Sequence, residues 1–500
     1  MAEKKIKSFE ISTEEAVGDI ISRDRKQREK KLKVGLLPVA WFEWWPMFPD
    51  SDMEQKIKQD AQKFVTDMKA RFGGQYDLTA PEEVVDTLDK AFDAGEMFHD
   101  ACVDIIIVNE TTYLTDFIPI EAIEHLPEVP VIIYASQATE NLWPTMKNTD
   151  VIRYEGLVGN AQLVGAFKKM DRRYKVVVGS LEDENSYVQI GKHLKVVDLI
   201  RRLKKVDIGL LGHTFRGMYD IEIDKTKIKG VFGPNVLYLD VTHLLGIWEK
   251  LEDKEIEAFI EQLKKDIPAP METVTQEDMK KSVSVGLAVQ KLIRRFNIDA
   301  LTLLGQHHVE VSTRASADFS FYCAEKINCM TTHEGDLANL VMKYVLNFIS
   351  GKLPVFLEWT AFDRNSDTLL LTHHGVVDPV IHAADMDQCR WTSSPEKWDF
   401  TGNGLSVEYC SKPGRVTLAS IINEKDGWKI LISSGECVEL PQAPCFAPQF
   451  HFKHDKYEVT QYIQKILEEG VAHHICLVYG DYTEELKLYA DYIGVKYVEI

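Results

Sequence analysis

The chain is short of the features that name a chemistry early. Its eight cysteines include no CxxC pair, which argues against a thiolate zinc site or a disulfide framework and leaves free thiols as the default. It has no GxGxxG or GxxxxGK[ST] phosphate loop, so no nucleotide cofactor is expected. No stretch reaches the roughly 18 uncharged apolar residues of a membrane span, and the opening MAEKKIKSFEISTEEAVGDIISRDRKQREKK lacks the apolar centre of a signal peptide. A cytoplasmic protein with no membrane partner is the expectation. Basic residues are outnumbered, 58 against 78 acidic, for a net charge of −20. That field repels phosphate backbones, so nucleic acid is not an expected partner either.

What is present is ordinary globular material, 45% apolar and 27% charged. A chain of 500 residues exceeds one hydrophobic core and implies about two to four domains. Residues 1–30 read as a charged helical arm. After them, KVGLLPVAWF, DIIIVNE and VPVIIYAS read as strands and residues 52–72 and 83–100 as helices, the alternation of a parallel sheet covered on both faces. A second cycle is expected to begin at YKVVVGSL and to continue through VDIGLLGH, NVLYLDV and DALTLLG. The expected division is therefore a first α/β domain over 31–172, a central α/β domain over 173–330 and a C-terminal domain over 331–500. In the last, alternating segments such as RVTLASII and WKILISSGE suggest an antiparallel sheet or barrel.

Four stretches of this last domain carry chemistry. TTHEGD places Glu334 just before a helix over 336–351, where Asp336 reads as its cap. In LPVFLEW, Glu358 interrupts an apolar strand, a costly position for a carboxylate unless a cation or a hydrogen-bond network meets it. TLLLTHHG ends a strand with His373 and His374, and EEGVAHHICLVYG sets His473 and His474 between a helix and a strand. Two carboxylates and two imidazoles with room for substrate oxygens suit an octahedral divalent ion, Mn²⁺ rather than zinc.

In these stretches the sequence resembles the L-arabinose isomerase and L-fucose isomerase superfamily, as a divergent member. HEGD, FLEW, LLLTHHG and GVAHH stand where L-arabinose isomerases carry a GEGD stretch, a strand glutamate, a strand-end histidine and a GGAHH motif. The resemblance implies metal ligands at Glu334, Glu358, His373 and His474, the second histidine of the last pair being the ligand. It implies two Rossmann-like doubly wound α/β domains followed by a C-terminal α+β domain with an antiparallel β-barrel, and a homo-oligomer, hexameric or trimeric. Two segments depart from the arabinose type. The GSQHLYG-like segment after the first strand is replaced by LPVAWFEWWPMFPD, and HMLEVCP by HHGVVDP. The metal chemistry is retained while the sugar is left open.

The implied activity is aldose–ketose isomerisation of a pentose or deoxyhexose-type sugar through an enediol or enediolate, with Glu334 and Glu358 as the acid/base pair. An L-fucose isomerase-like enzyme on another or modified sugar is the nearest alternative, and a metal-dependent hydrolase or lyase is a further one. A non-catalytic sugar-binding protein fits less well, because all four ligand positions are kept. Gln306 and His307 in GQHH are expected either to contact the sugar or to form a surface turn, Trp41 to stack on the sugar or to make a subunit contact, and His374, as a further candidate sugar contact, to orient the site or simply to end its strand.

Overall fold

The computed structural model describes residues 30–49, 51–143, 146–147, 150–271, 273–305, 309–394, 404–445 and 447–500. Two compact units divide it, the first ending at Arg201 and the second running from Arg202 to Ile500. Apart from Lys30, the expected helical arm lies outside the described residues. Among the described residues, no helix is long and apolar enough to cross a membrane.

The first unit is built on a parallel sheet in the order β2-β1-β3-β4-β5. Its strands are β1 (Lys33–Val39), β2 (Asp77–Thr79), β3 (Ile105–Glu110), β4 (Val131–Gln137) and β5 (Tyr174–Ser180). Every residue of β3 is buried, as a strand covered on both faces requires. The helix Met53–Phe72 turns Ile57, Ala61, Phe64 and Met68 inward at helical spacing. Just past the end of β1, Trp41 packs edge-on to Trp44 at 5.1 Å and to Tyr113 at 6.1 Å between ring centroids.

Here the expected division is corrected. YKVVVGSL does not open a second domain: as β5 it pairs with β4 from Val131↔Tyr174 to Gln137↔Ser180. The helix Gly156–Lys169 is the crossover between these two strands, so the pattern is one more βαβ step of the first sheet. The boundary moves from 172/173 to 201/202. Periodicity marks a strand without saying which sheet it joins.

The second unit contains two sheets. The smaller is parallel, in the order β7-β6-β8-β9, with β6 (Asp207–Leu211), β7 (Asn235–Leu239), β8 (Ala300–Leu303) and β9 (Met330–His333). The boundary expected at 330/331 thus falls at the first residue of β9, the strand that completes this sheet. The larger sheet is mixed, with β10 (Val355–Asp363), β11 (Thr368–Thr372), β12 (Arg390–Ser394), β13 (Gly404–Cys410), β14 (Gly414–Glu424), β15 (Gly427–Cys437), β16 (Pro448–His454), β17 (His474–Tyr479) and β18 (Lys496–Glu499). Within it β16, β11, β10, β17, β14 and β15 pair antiparallel in succession, and β15 pairs back with β16. Val416 and Leu418, Phe450 and Phe452, and Ile475 and Leu477 recur two apart along their strands and share one core cluster.

The helix Leu337–Ser350 joins the two sheets, packing against β9 on one side and against β14 and β17 on the other. Asp336 caps its start by accepting from the Asn339 N–H, and Gly351, at φ +66°, ends it. Buried within this layer, Lys343 pairs with Glu325 and donates to the Thr331 carbonyl. Removing one partner strands a charge, so Glu325→Ala should lose about 3–5 kcal/mol in urea unfolding, while the double change Glu325→Leu/Lys343→Met should recover most of it.

Glu310, which opens the short helix Glu310–Thr313, is 1% exposed. Burial first, and then the charge of Asp318, push its pKa up to about 9. The folded chain therefore holds this proton where the unfolded chain, with a carboxyl near about 4.3, has released it, and stability falls as pH rises between the two values. Glu310→Gln removes that slope: relative to the wild type it should gain stability at pH 8 and little at pH 4, as read by thermal unfolding across pH.

Candidate active site

β9 ends at His333, and the next two residues turn sharply, Glu334 at φ +61° and Gly335 at φ +78°. A Cβ at position 335 would lie 2.6 Å from the Thr214 Cα, so only glycine fits there. Left-handed backbone at a glutamate costs on the order of 1–3 kcal/mol and persists only where the surroundings fix it. They do so on both sides: the Glu334 N–H donates to the Leu303 carbonyl and the Glu334 carbonyl accepts from the Phe215 N–H, each at 2.9 Å. The backbone of this buried residue is thereby fixed by β8 and by the loop that follows β6.

The other groups come from adjacent strands of the large sheet. Glu358 on β10 stands in register with Thr372 on β11 and with His474 on β17. Thr372 is the last residue of β11, so His373 emerges directly beyond it. His474 Nε2 lies 3.5 Å from Glu334 Oε2 and 3.9 Å from Glu358 Oε1, and His373 Nε2 lies 3.8 Å from the same Glu358 oxygen. The structure brings together Glu334, Glu358, His373 and His474, four residues spread over 141 positions of sequence.

Each imidazole is held by its far nitrogen. His474 Nδ1 donates to Asp336 Oδ2 at 3.0 Å, and His373 Nδ1 donates to the His374 carbonyl at 2.9 Å. Both Nε2 atoms are therefore left as acceptors, and both are buried with no hydrogen-bond partner among the described residues. His474 is shared by two groups of possible ligands, Glu334 with His473 and Glu358 with His373, and bare imidazole nitrogens beside carboxylates in this way form a costly arrangement unless a cation satisfies it. The donor set fits a divalent metal, with Asp336 and the His374 carbonyl orienting the two histidines behind it.

The surroundings are apolar and aromatic. The Phe356 ring lies 4.4 Å from that of His474 and 5.1 Å from that of His373. His333 stacks on Phe321 at 3.5 Å and sits 4.2 Å from His373. Burial, reinforced by the neighbouring histidines, drives the His333 pKa well down, so this ring is a neutral wall of the site. For Glu334 burial acts against the charge, but His473, His373 and His474 outweigh it and hold the carboxyl below its ordinary range.

Of the expected sugar contacts, His374 borders the cluster, its ring 5.9 Å from that of His373. Trp41 belongs to the first unit and packs there with Trp44 and Tyr113. Gln306 and His307 lie outside the described residues. Three contributors were not anticipated. Asp336 has a second role beyond capping, and His333, within the quoted TTHEGD, forms a wall. The third is Asp220, which accepts from both the backbone N–H of His473 at 3.1 Å and its Nδ1 at 2.5 Å.

No family model matches the chain. Among curated proteins it is similar to the sulfoquinovose isomerase of Alkalicoccus urumqiensis, 20% identical over 94% of this chain and 99% of that protein. The sulfoquinovose isomerase of Priestia megaterium is 17% identical over 82% and 88% of the two chains. L-arabinose isomerase 2 of Bacillus licheniformis is 22% identical over 75% and 80%. Covering 75–94% of the chain at 17–22% identity, these relatives support a sugar isomerase and a divergent member of the L-arabinose isomerase-like superfamily.

Proposed function

We propose that the protein interconverts an aldose and a ketose, using a divalent cation held by Glu334, Glu358, His373 and His474. The observation that carries this reading is the convergence of two carboxylates with two imidazoles whose Nε2 atoms have no other buried partner. When bound, such a cation supplies Lewis-acid polarisation of the substrate's adjacent oxygens. Mn²⁺ is our choice, on the nitrogen and oxygen donors.

The chain's own residues then manage protons. Isomerisation moves one proton between C1 and C2 and another between their oxygens. Glu334 and Glu358 both lie within 4 Å of His474 Nε2, so they are the two groups available to take and return these protons. Asp336 and the His374 carbonyl keep the imidazoles facing the reacting atoms. Phe356, His333 and Phe321 line the site with apolar surface, which strengthens every charge interaction inside it.

For the sugar, we infer a modified hexose, with a sulfonated one first in line. In support, a relative matched over almost all of both chains is named for sulfoquinovose. The segment after β1, LPVAWFEWWPMFPD, lacks the arabinose-type GSQHLYG stretch, which favours a sugar other than L-arabinose. We also read the closed cycle of six antiparallel pairings as the barrel of the C-terminal domain.

In D₂O, Mn²⁺-loaded protein incubated with sulfoquinovose and a panel of unmodified aldoses should form the ketose with deuterium at C1 or C2, followed by NMR. Glu334→Gln or Glu358→Gln should lower kcat by about 10²–10⁴. Full turnover by either variant would remove that glutamate from the acid/base role, and the absence of any exchange by the wild type would end the isomerase reading. Asp336→Ala should lose about 1 kcal/mol of stability from the helix cap and weaken Mn²⁺ binding by about 10–100-fold. Urea unfolding and Mn²⁺ titration by electron paramagnetic resonance separate the two effects.

A further inference from the structure

The loop after β6 touches Glu334 in a way the assigned chemistry leaves unused. Its Phe215 N–H holds the Glu334 carbonyl, and Thr214 closes over Gly335. Five residues after Phe215 comes Asp220, whose Oδ2 accepts two hydrogen bonds from one residue, the main-chain N–H and the ring Nδ1 of His473. One oxygen thus fixes both the backbone position and the ring rotation of His473. With Nδ1 taken, the opposite nitrogen has one direction left, and it lies 3.5 Å from Glu334 Oε2. His474 Nε2 approaches the same oxygen at the same distance, so Glu334 Oε2 sits between two imidazole edges, one oriented by Asp336 and the other by Asp220.

We infer that Asp220 is a positioning residue for the isomerisation proposed above: by holding His473 at its backbone and ring together, it fixes where the Glu334 carboxylate points. Resting on that function, the inference adds a third anchor to Glu334, whose backbone is already held by Leu303 and Phe215. An anchor is needed because the carboxylate hangs from a left-handed residue at the rim of a sheet, where the backbone alone leaves its side-chain torsions free. Asp220 and His473 stand 253 positions apart, and both are partly exposed, with side chains 40% and 34% accessible. The fold does not need such a pair for its core, which separates it from a purely structural contact.

The test compares Asp220→Ala, Asp220→Asn and His473→Ala in the Mn²⁺-loaded full chain, on whichever sugar the wild type turns over. Asp220→Ala should lower kcat by about 10–100-fold with KM changed by less than about threefold, the pattern of a misplaced reacting group rather than lost sugar binding. Asparagine keeps a carbonyl oxygen that accepts both hydrogen bonds, so Asp220→Asn should retain at least about a third of wild-type kcat. Combining Asp220→Ala with His473→Ala should cost no more than His473→Ala alone, since the aspartate acts only through the histidine. The inference is overturned if Asp220→Ala keeps wild-type kcat, if Asp220→Asn falls as far as the alanine, or if the double change is additive. A wild type that isomerises no sugar would instead overturn the function itself, and the inference with it.

Discussion

Asp336 is the residue on which most of the site depends. Its carboxylate is completely buried and is met by three donors, the Asn339 backbone and side chain and His474 Nδ1. The first two belong to the start of the helix Leu337–Ser350 and the third to the first residue of β17. A single side chain thus couples the beginning of a helix to the orientation of an imidazole 138 residues later. The cost of desolvating the charge is offset by full hydrogen bonding and by the positive end of the helix dipole. Because that helix lies between the two sheets of the second unit, the same interaction ties Glu334, at the rim of the parallel sheet, to Glu358, His373 and His474 on the mixed one.

The parallel sheet supplies a glutamate in a conformation few residues adopt, while the mixed sheet supplies Glu358 and His474 from paired strands and His373 from just past a strand end. The two contributions have different physical characters. Glu334 is placed by backbone strain held on both sides, Glu358 and His474 by strand register, and His373 by the end of β11. The aromatic surroundings then serve both, lowering the local dielectric while leaving His333 uncharged.

The two carboxylates and the two histidine pairs were legible in the sequence because each breaks a rule of its element, while the choice among the histidines came from the family resemblance. Glu358 interrupts an apolar strand, His373 and His474 stand at strand ends, and Glu334 precedes a helix cap. The alternation of strands and helices was equally legible. What could not be read were partnerships. β5 is a good parallel strand in either of two sheets, and only its pairing with β4 decides between them. Asp336 announces itself as a cap, and that local role conceals the distant one. Asp220 gives no local signal, since an aspartate in a polar loop is unremarkable until a histidine 253 positions away comes to meet it.

The register of β10 against β17 has a consequence for the life of the molecule. Glu358 and His474 are direct cross-strand neighbours, and side chains alternate between faces at every residue. A slip of one residue during folding would turn one of the two to the opposite face and leave the donor set broken. On the function proposed above, metal capture would act as a checkpoint on strand alignment: a chain with these strands wrongly paired would have no complete donor set to load, and a loaded one would be locked against slipping.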